Sequence, residues 1–270
     1  MFRKILIILL VFFHFSTFAQ EPISLISWNI RDFGKTKSGE ELDKMANILR
    51  DADIVAIQEV VSGYGGAQAV AKLADILNRK GSQWDYVVSD PTNSTKYVTE
   101  RYGFIWKTKD IKIKNRGQLI AELDSLVDRE PFYLDFYVKG KKITVINFHS
   151  RPHDFNPEGE ILAITSFLKS NPSSHPIILA GDFNVDEKEI VFNGLKIMGY
   201  SPAITNQKTT LKHDCDGNSY LNYAIDNIFF TQNVTKLQGA AIDIVKVCEN
   251  LKNARKLSDH LPVILRFSLN

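Results

Sequence analysis

The chain has 270 residues, of which 44% are hydrophobic and 11% aromatic, enough apolar material for a substantial core and incompatible with a disordered composition. Its formal charge is only +2, and without Arg3 and Lys4 the Lys+Arg total falls from 33 to 31 against 31 Asp+Glu. This excludes a globally basic nucleic-acid binder, so any polyanion must be held by a local basic patch and by metal.

Arg3 and Lys4, the apolar run Ile5 to Phe13 and the small-residue pattern Thr17-Phe18-Ala19 together form a secretory signal peptide pattern. Residues 1–19 are expected to be removed after Ala19, leaving 20–270 as a single domain in a secreted or periplasmic setting. The apolar run is shorter than the ~20 residues that span a bilayer, and no other segment is long and apolar enough. We expect a monomer without stable membrane association. In an oxidising compartment Cys215 and Cys248 could form one disulfide or stand as two small buried thiols, and their spacing does not decide between these. Two widely separated thiols do not make a zinc site.

Ile23 to Ile30 is an apolar, β-favouring run that ends in polar residues. Ser38-Gly39-Glu40-Glu41 then reads as a capping box opening a helix through Leu49, with Leu42, Met45, Ala46 and Leu49 on one face. The strand pattern returns at Asp53 to Val60, at Lys142 to His149 and at Pro176 to Asn184. Helices are expected over Gly66 to Lys80 and Glu158 to Lys169, and further strands over Trp84 to Val88, Tyr102 to Lys107, Phe132 to Val138, Ile225 to Thr231 and Pro262 to Phe267. Strands outnumber helices, and some follow one another directly across Lys139-Gly140. The fold class predicted is α+β: two mixed β-sheets packed face to face with outer helices, a four-layer sandwich. Polar loops at Val61 to Gly66, Ser89 to Thr99 and Gln207 to Leu221 flank the strand ends and are expected to hold substrate.

Those strand ends carry Asn29, Glu59, His149, Asp182 and Asn184, followed near the C-terminus by Asp226, Asp259 and His260. Hydrolysing a phosphodiester at neutral pH needs oxygen ligands for a hard cation, an acid or base near pH 7, and donors for charge growing on phosphate. Carboxylates and amides suit Mg²⁺, Mn²⁺ or Ca²⁺ better than zinc. Taken singly, each residue has an ordinary structural explanation: an Asn after a strand makes turns, and a lone His sits satisfied in a core. Their joint occurrence at strand ends of one domain is what argues for chemistry.

The ordered set Ser27-Trp28-Asn29-Ile30, Ile57-Gln58-Glu59-Val60, Asn147-Phe148-His149-Ser150, Gly181-Asp182-Phe183-Asn184 and Ser258-Asp259-His260 resembles the endonuclease/exonuclease/phosphatase superfamily over Ile23 to Phe267. Thr99-Glu100-Arg101-Tyr102 and Arg129-Glu130-Pro131 are similar to motifs of its deoxyribonuclease I-like members. The resemblance implies a metal-dependent phosphodiesterase with a nucleic-acid substrate, foremost DNA, and with Mg²⁺ as cofactor, Mn²⁺ or Ca²⁺ serving as alternatives. It implies metal ligation by Asn29, Glu59 and Asp259, a catalytic set of His149, His260, Glu100, Asp226, Asp182 and Asn184, and a phosphate contact from Arg129. Glu100 would orient His149 and Asp226 would orient His260; the first assignment places His260 beside the attacking water and His149 toward the leaving group, and the reverse assignment stays open. Lys96, Arg129 and Arg151 are the local cations expected to meet phosphate, and Tyr97 offers a stacking surface. Two departures stand out. Val61-Ser62-Gly63-Tyr64 lacks the arginine these nucleases carry after Gln-Glu-Val, and no Cys follows Gly-Asp-Phe-Asn, so the only partner left for Cys215 is Cys248. A phosphatase or lipid phosphodiesterase of the same superfamily, and a catalytically silent binding module, are the alternatives.

Overall fold

The computed structural model describes residues 22–269, so the expected leader over 1–19 lies outside the described residues. The chain runs β1 (Ile23–Phe33), α1 (Gly39–Leu49), β2 (Ile54–Val61), α2 (Gly66–Asn78), β3 (Trp84–Val88), β4 (Glu100–Lys107), β5 (Ile111–Ile113), β6 (Gln118–Leu119), β7 (Phe132–Val138) and β8 (Lys141–His149). It continues through α3 (Pro157–Ser170), β9 (Ile177–Asp182), α4 (Asn193–Ile197), β10 (Ser201–Pro202), β11 (Leu211–Asp216), β12 (Ser219–Leu221), β13 (Asp226–Phe230), β14 (Val234–Ala241), α5 (Leu251–Leu257) and β15 (Val263–Leu269).

One sheet has the order β14-β15-β1-β2-β4-β3, and the other β10-β13-β9-β8-β7-β5 with β6 on β7. Both are mixed: β1 and β2 run parallel, as do β8 and β9, and their other neighbours are antiparallel. Side chains alternate along a strand, and the burial divides accordingly. Leu25, Ala56, Tyr102, Phe104, Leu134, Phe136, Val145, Ala180, Ile228 and Leu265 share the core between the sheets. The alternate residues Ile26, Trp28, Val55, Ile57 and Ile105 pack beneath α1 and α2. On the far side Ile146, Phe148, Leu179 and Phe229 lie against Ile161, Ile164 and Leu168 of α3. The four-layer sandwich follows.

The capping box forms as its spacing predicts: Ser38 Oγ accepts from Glu41 N at 3.2 Å, and Glu41 Oε2 accepts from Ser38 N at 2.7 Å. Gly181 is required by a close approach, since a Cβ there would stand 1.7 Å from the carbonyl oxygen of Phe148 on the neighbouring strand. Several features differ from the expectation, and the short elements β5, β6, β10 and α4 are among them, each five residues or fewer. Gln207 to Leu221 is not a plain loop, because it holds the hairpin β11–β12. Strand β14 was not expected, since its burial pattern at a sheet edge shows four consecutive exposed residues and no alternation. The short helix α5 was not expected either, and it buries only Leu251, Ala254 and Leu257.

Cys215 in β11 is bonded to Cys248 ahead of α5, with Cα atoms 6.1 Å apart across a separation of 33 residues. This disulfide settles the alternative left open above. Closing a loop of that length stabilises by about 3–4 kcal/mol through the unfolded state. The double variant Cys215→Ser/Cys248→Ser is therefore expected to lose that much in a denaturant titration, with a steeper slope as the unfolded chain expands, and an unchanged midpoint would show that the staple is energetically idle.

Candidate active site

Along each inner-facing row the residues change from apolar to polar toward one end of the sandwich. In β1 the row is Ile23, Leu25, Ser27, Asn29; in β8 it is Ile143, Val145, Asn147, His149; in β9 it is Ile178, Ala180, Asp182. Strands β4 and β13 enter from the opposite direction and begin their inner rows with Glu100 and Asp226. Period-two geometry thus gathers the polar ends into one place between the sheets.

Asn29 is fully buried, and its amide nitrogen donates to Glu59 Oε1 at 2.9 Å and to Asp182 Oδ2 at 3.1 Å. Its Oδ1 is buried without a partner. A donor lying between two carboxylates marks a position that also favours a hard cation, and flipping the amide would turn the orphaned oxygen toward that cation. Glu59 reaches this place against strand parity, since its neighbour Gln58 already faces the other sheet. A left-handed backbone at Glu59 (φ 59°) and a register shift between Ile57 and Val60 re-aim the carboxylate. Asp32 (φ 50°) and Asn184 (φ 52°) are left-handed as well, and such positions cost about 1–3 kcal/mol for residues with a Cβ. Behind them Gln58 Nε2 donates to Asn147 Oδ1 at 2.6 Å, and this buried amide pair ties β2 to β8.

Two imidazoles flank Asp182. His149 Nδ1 lies 3.0 Å from both Glu100 oxygens, and its Nε2 is 3.6 Å from Asp182 Oδ2. His260 Nδ1 lies 2.9 Å from Asp226 Oδ2 and 3.8 Å from Asp182 Oδ2. Burial opposes the charged form of His149, but the Glu100 carboxylate outweighs it and raises the pKa. At His260 burial is likewise outweighed, by Asp226 and then Asp182, and the pKa is pushed up to about 10. Burial would raise Glu100, yet the nearby His149 and Arg129 charges hold it below the ordinary value. Asp182 goes the other way, raised by burial and by Asp226.

The expected metal, catalytic and phosphate-binding residues, Asn29, Glu59, Glu100, Arg129, His149, Asp182, Asn184, Asp226, Asp259 and His260, lie in this region, but several take different partners. Arg129, expected to contact phosphate, is almost wholly buried, with Nε 3.0 Å from Glu100 Oε2 and Nη1 donating to Ser150 O at 3.2 Å. Arg151 is spent on Glu160 and Asp128 at 2.9 and 2.8 Å. Asp259, expected among metal ligands, is paired with Arg31 at 3.1 Å and Arg255 at 3.6 Å. Asn184 Nδ2 donates to Ser150 O at 3.1 Å, and its backbone N to Asp182 Oδ1 at 2.9 Å. Lys96 and Tyr97 stay together at the surface, Nζ 5.7 Å from the ring centroid. Sequence reasoning missed Arg31, although it stands two residues beyond Asn29, and Thr209, whose Oγ1 donates to Asp226 Oδ2 at 2.7 Å. It also missed Ser258, whose Oγ donates to Asn29 O at 2.7 Å. Nothing in the sequence marks Thr209, because a loop delivers it.

Asp182, Asp226 and His260 also bring ligand-type atoms within 4.8 Å of one another. An ion there would have to break the imidazole–carboxylate bond, whereas Asn29 Oδ1 lacks any partner. The Asn29–Glu59 side is the better cation seat.

The sequence pattern of the Endonuclease/Exonuclease/phosphatase family matches residues 26–260. Deoxyribonuclease-1 of Oryctolagus cuniculus is 28% identical over 176 residues, a match that spans 61% of this chain and 61% of that relative, less than two thirds of its length. Among solved structures, an endonuclease/exonuclease/phosphatase family protein from Bacteroides thetaiotaomicron is similar with a TM-score of 0.68 at 17% identity, covering 93% of this chain and 98% of that one. The mannosyl-6-phosphatase Bt3783 of Bacteroides thetaiotaomicron VPI-5482 gives 0.67 at 16%, covering 92% and 100%. D. rerio TDP2 complexed with single strand DNA product gives 0.63 at 16%, covering 92% and 99%. At these identities the structural likeness shows the shared fold alone.

Asp226→Asn keeps shape and an acceptor but removes the charge that contributes most to holding the His260 proton. The His260 pKa is expected to fall from about 10 toward the ordinary value of about 6.5. A raised histidine pKa stabilises the fold fully below the unfolded value, and that contribution is lost as pH rises through the folded one. In the variant the loss moves to lower pH. Imidazole titration by NMR checks this, and an unmoved His260 would assign its shift to other groups.

Proposed function

This chain belongs to the endonuclease/exonuclease/phosphatase family, a hydrolase of phosphoester bonds, and we propose that within it the protein is an exported, divalent-metal-dependent endonuclease cutting DNA with low sequence specificity. The observation that carries the proposal is the convergence of two carboxylate-held imidazoles on one buried carboxylate, Asp182, beside the orphaned oxygen of Asn29. The Cys215–Cys248 disulfide supports an oxidising compartment, and with it export behind the leader pattern. Among the described residues no helix is long and apolar enough to cross a membrane.

Asn29 and Glu59 would hold Mg²⁺, or Mn²⁺ or Ca²⁺ in its place, with oxygen ligands suited to a hard ion. When bound, the cation supplies Lewis-acid stabilisation of a phosphoryl oxygen. The rest of the chemistry falls to side chains. Glu100 and Asp226 take the Nδ1 atoms, which fixes both imidazole orientations and leaves each Nε2 for substrate. His260, protonated up to about pH 10, is suited to donating a hydrogen bond or a proton. That favours a donor role over the base role expected from the resemblance. Asp182, raised by burial and Asp226, is placed to orient the attacking water and take its proton. Asn184 and Arg129 border the same space, where they would steady the phosphate.

Plasmid nicking in Mg²⁺ that stops with chelator tests the proposal. Hydrolysis of sugar phosphates or choline-phosphate esters, with plasmid and linear DNA left intact in Mg²⁺ and Mn²⁺, would replace it with another phosphoesterase activity. His149→Ala and His260→Ala are each expected to lower turnover by roughly a hundredfold or more with the fold retained. Near-wild-type rates across pH in either variant would overturn the two-histidine mechanism. Glu59→Gln removes one charge from the cation seat and is expected to move the Mg²⁺ activation curve to higher concentration; an unmoved curve would take Glu59 out of the metal shell.

A further inference from the structure

The end of the sandwich opposite the site is cationic. Glu100 and Lys107 close opposite ends of β4, and His149 and Lys141 opposite ends of β8, so these ends stand roughly 25 Å apart at ~3.3 Å per residue. The segment after β4 supplies Lys109, Lys112, Lys114 and Arg116, all exposed. The β7–β8 turn lies beside it, because Ile111 pairs with Val138 and Lys139 N donates to Asp110 O at 3.1 Å. Exposed Lys139 and Lys141 therefore join the same face. Adjoining clefts of about 490 and 420 Å³ share Lys109, Asp110 and Lys139. Lys114 Nζ stands 4.3 Å from the centroid of the Tyr137 ring.

Few carboxylates neutralise these charges. Lys107 is met by Asp53 at 3.4 Å and Lys142 by Asp135 at 2.8 Å, but Lys109, Lys114 and Arg116 have no carboxylate partner among the described residues. Lysines on an edge strand also discourage sheet-to-sheet pairing, which accounts for Lys112 on β5. It does not account for Lys109, which lies in a turn. Since 31 cations oppose 31 acids once Arg3 and Lys4 are left aside, the charges of Lys109, Lys114 and Arg116 must be offset by acid elsewhere. The site, with Glu59, Glu100, Asp182, Asp226 and Asp259, is one such place.

We propose that this distal basic face is a second nucleic-acid site, which binds the phosphate backbone of a duplex segment remote from the one being cut. The proposal rests on the nuclease function above. Duplex DNA carries about one charge per 1.7 Å and rewards a cluster of unpaired cations by counterion release. A membrane surface fits less well, because the large exposed apolar side chains, such as Phe155, Ile190 and Ile197, all lie outside residues 107–116 and 133–142 and leave the face without apolar anchors. Holding a long polymer at one end of the molecule raises its effective concentration at the other.

The test is the triple variant K109E/K114E/R116E, with K109Q/K114Q/R116Q as a milder second form, checked for unchanged thermal unfolding. Fluorescence anisotropy on a labelled 60-base-pair duplex in chelator, where nothing is cut, is expected to show binding weakened about tenfold or more. The salt slope should flatten by about three units, one per lost phosphate contact. In Mg²⁺, cutting of a long duplex should fall while cleavage of a 12-base-pair duplex stays at the wild-type rate. Unchanged duplex binding in both variants overturns the proposal. So does loss of binding to phosphatidylcholine vesicles carrying phosphatidylglycerol while duplex binding persists. If the wild type cuts no DNA at all, yet the variants lose duplex binding in chelator, the surface stands and the nuclease function falls.

Discussion

Charge compensation in the seam between the two sheets is the constraint on which the rest of this structure depends. Glu100, Asp182, Asp226 and His149 are all buried there, where an unpaired charge costs several kcal/mol. Each is therefore matched: Glu100 with His149 and Arg129, Asp226 with His260, and Asp182 between the two imidazoles and the Asn29 amide. Removing one member leaves its partner buried and unsatisfied, so the set stands as a unit. Among the described residues only Asn29 Oδ1 and Gln58 Oε1 remain as buried side-chain atoms without partners, and the Asn29 amide whose nitrogen meets Glu59 is where a cation would complete the account.

The backbone supplies this arrangement cheaply for most members and at some cost for others. Asn29, His149, Glu100, Asp182 and Asp226 need only to fall on the correct parity of their strands. Glu59 is off the parity of β2 and Asn184 lies beyond the end of β9, and both take left-handed conformations uncommon for side-chain-bearing residues. Strain gathered at strand ends is sustained because the seam below is closely packed: the buried Gln58–Asn147 amide pair and the rings of Phe104 and Phe136, 5.5 Å apart, fix the separation of the sheets. A shift of one sheet against the other would break the Asn29–Asp182 contact and the Gln58–Asn147 contact together.

The His260 half of the site is built differently from the His149 half. His149 sits within a central strand and leans on Glu100 and Tyr102 of the other sheet. His260 lies between α5 and β15, and it is held by Trp28 Nε1 donating to its carbonyl at 2.9 Å and by Ser258 Oγ accepting from its backbone N at 3.1 Å. Residues 209–211 complete the hold: Thr209 donates to Asp226, Thr210 bridges His260, and Leu211 N donates to Asp259 O at 2.8 Å. The hairpin that continues from Leu211 is the one stapled by the disulfide.

The sequence by itself determined the layers, because alternating apolar runs can bury both faces only as stacked sheets under amphipathic helices. It also marked Asn29, His149, Asp182 and Asp226 as residues at strand ends, since motif and parity are both local properties. What tertiary structure decided was partnership. Arg129, expected to meet phosphate, also holds Glu100; Asp259, expected at the metal, is paired with Arg31 and Arg255; Thr209 had no mark at all and holds Asp226. Edge strand β14 and helix α5 escaped notice because their placement comes from neighbours far along the chain and not from their own periodicity. A residue's period along the chain is fixed by its own backbone, whereas the charge beside it is fixed only when strands distant in sequence close on one another in a seam that water cannot screen.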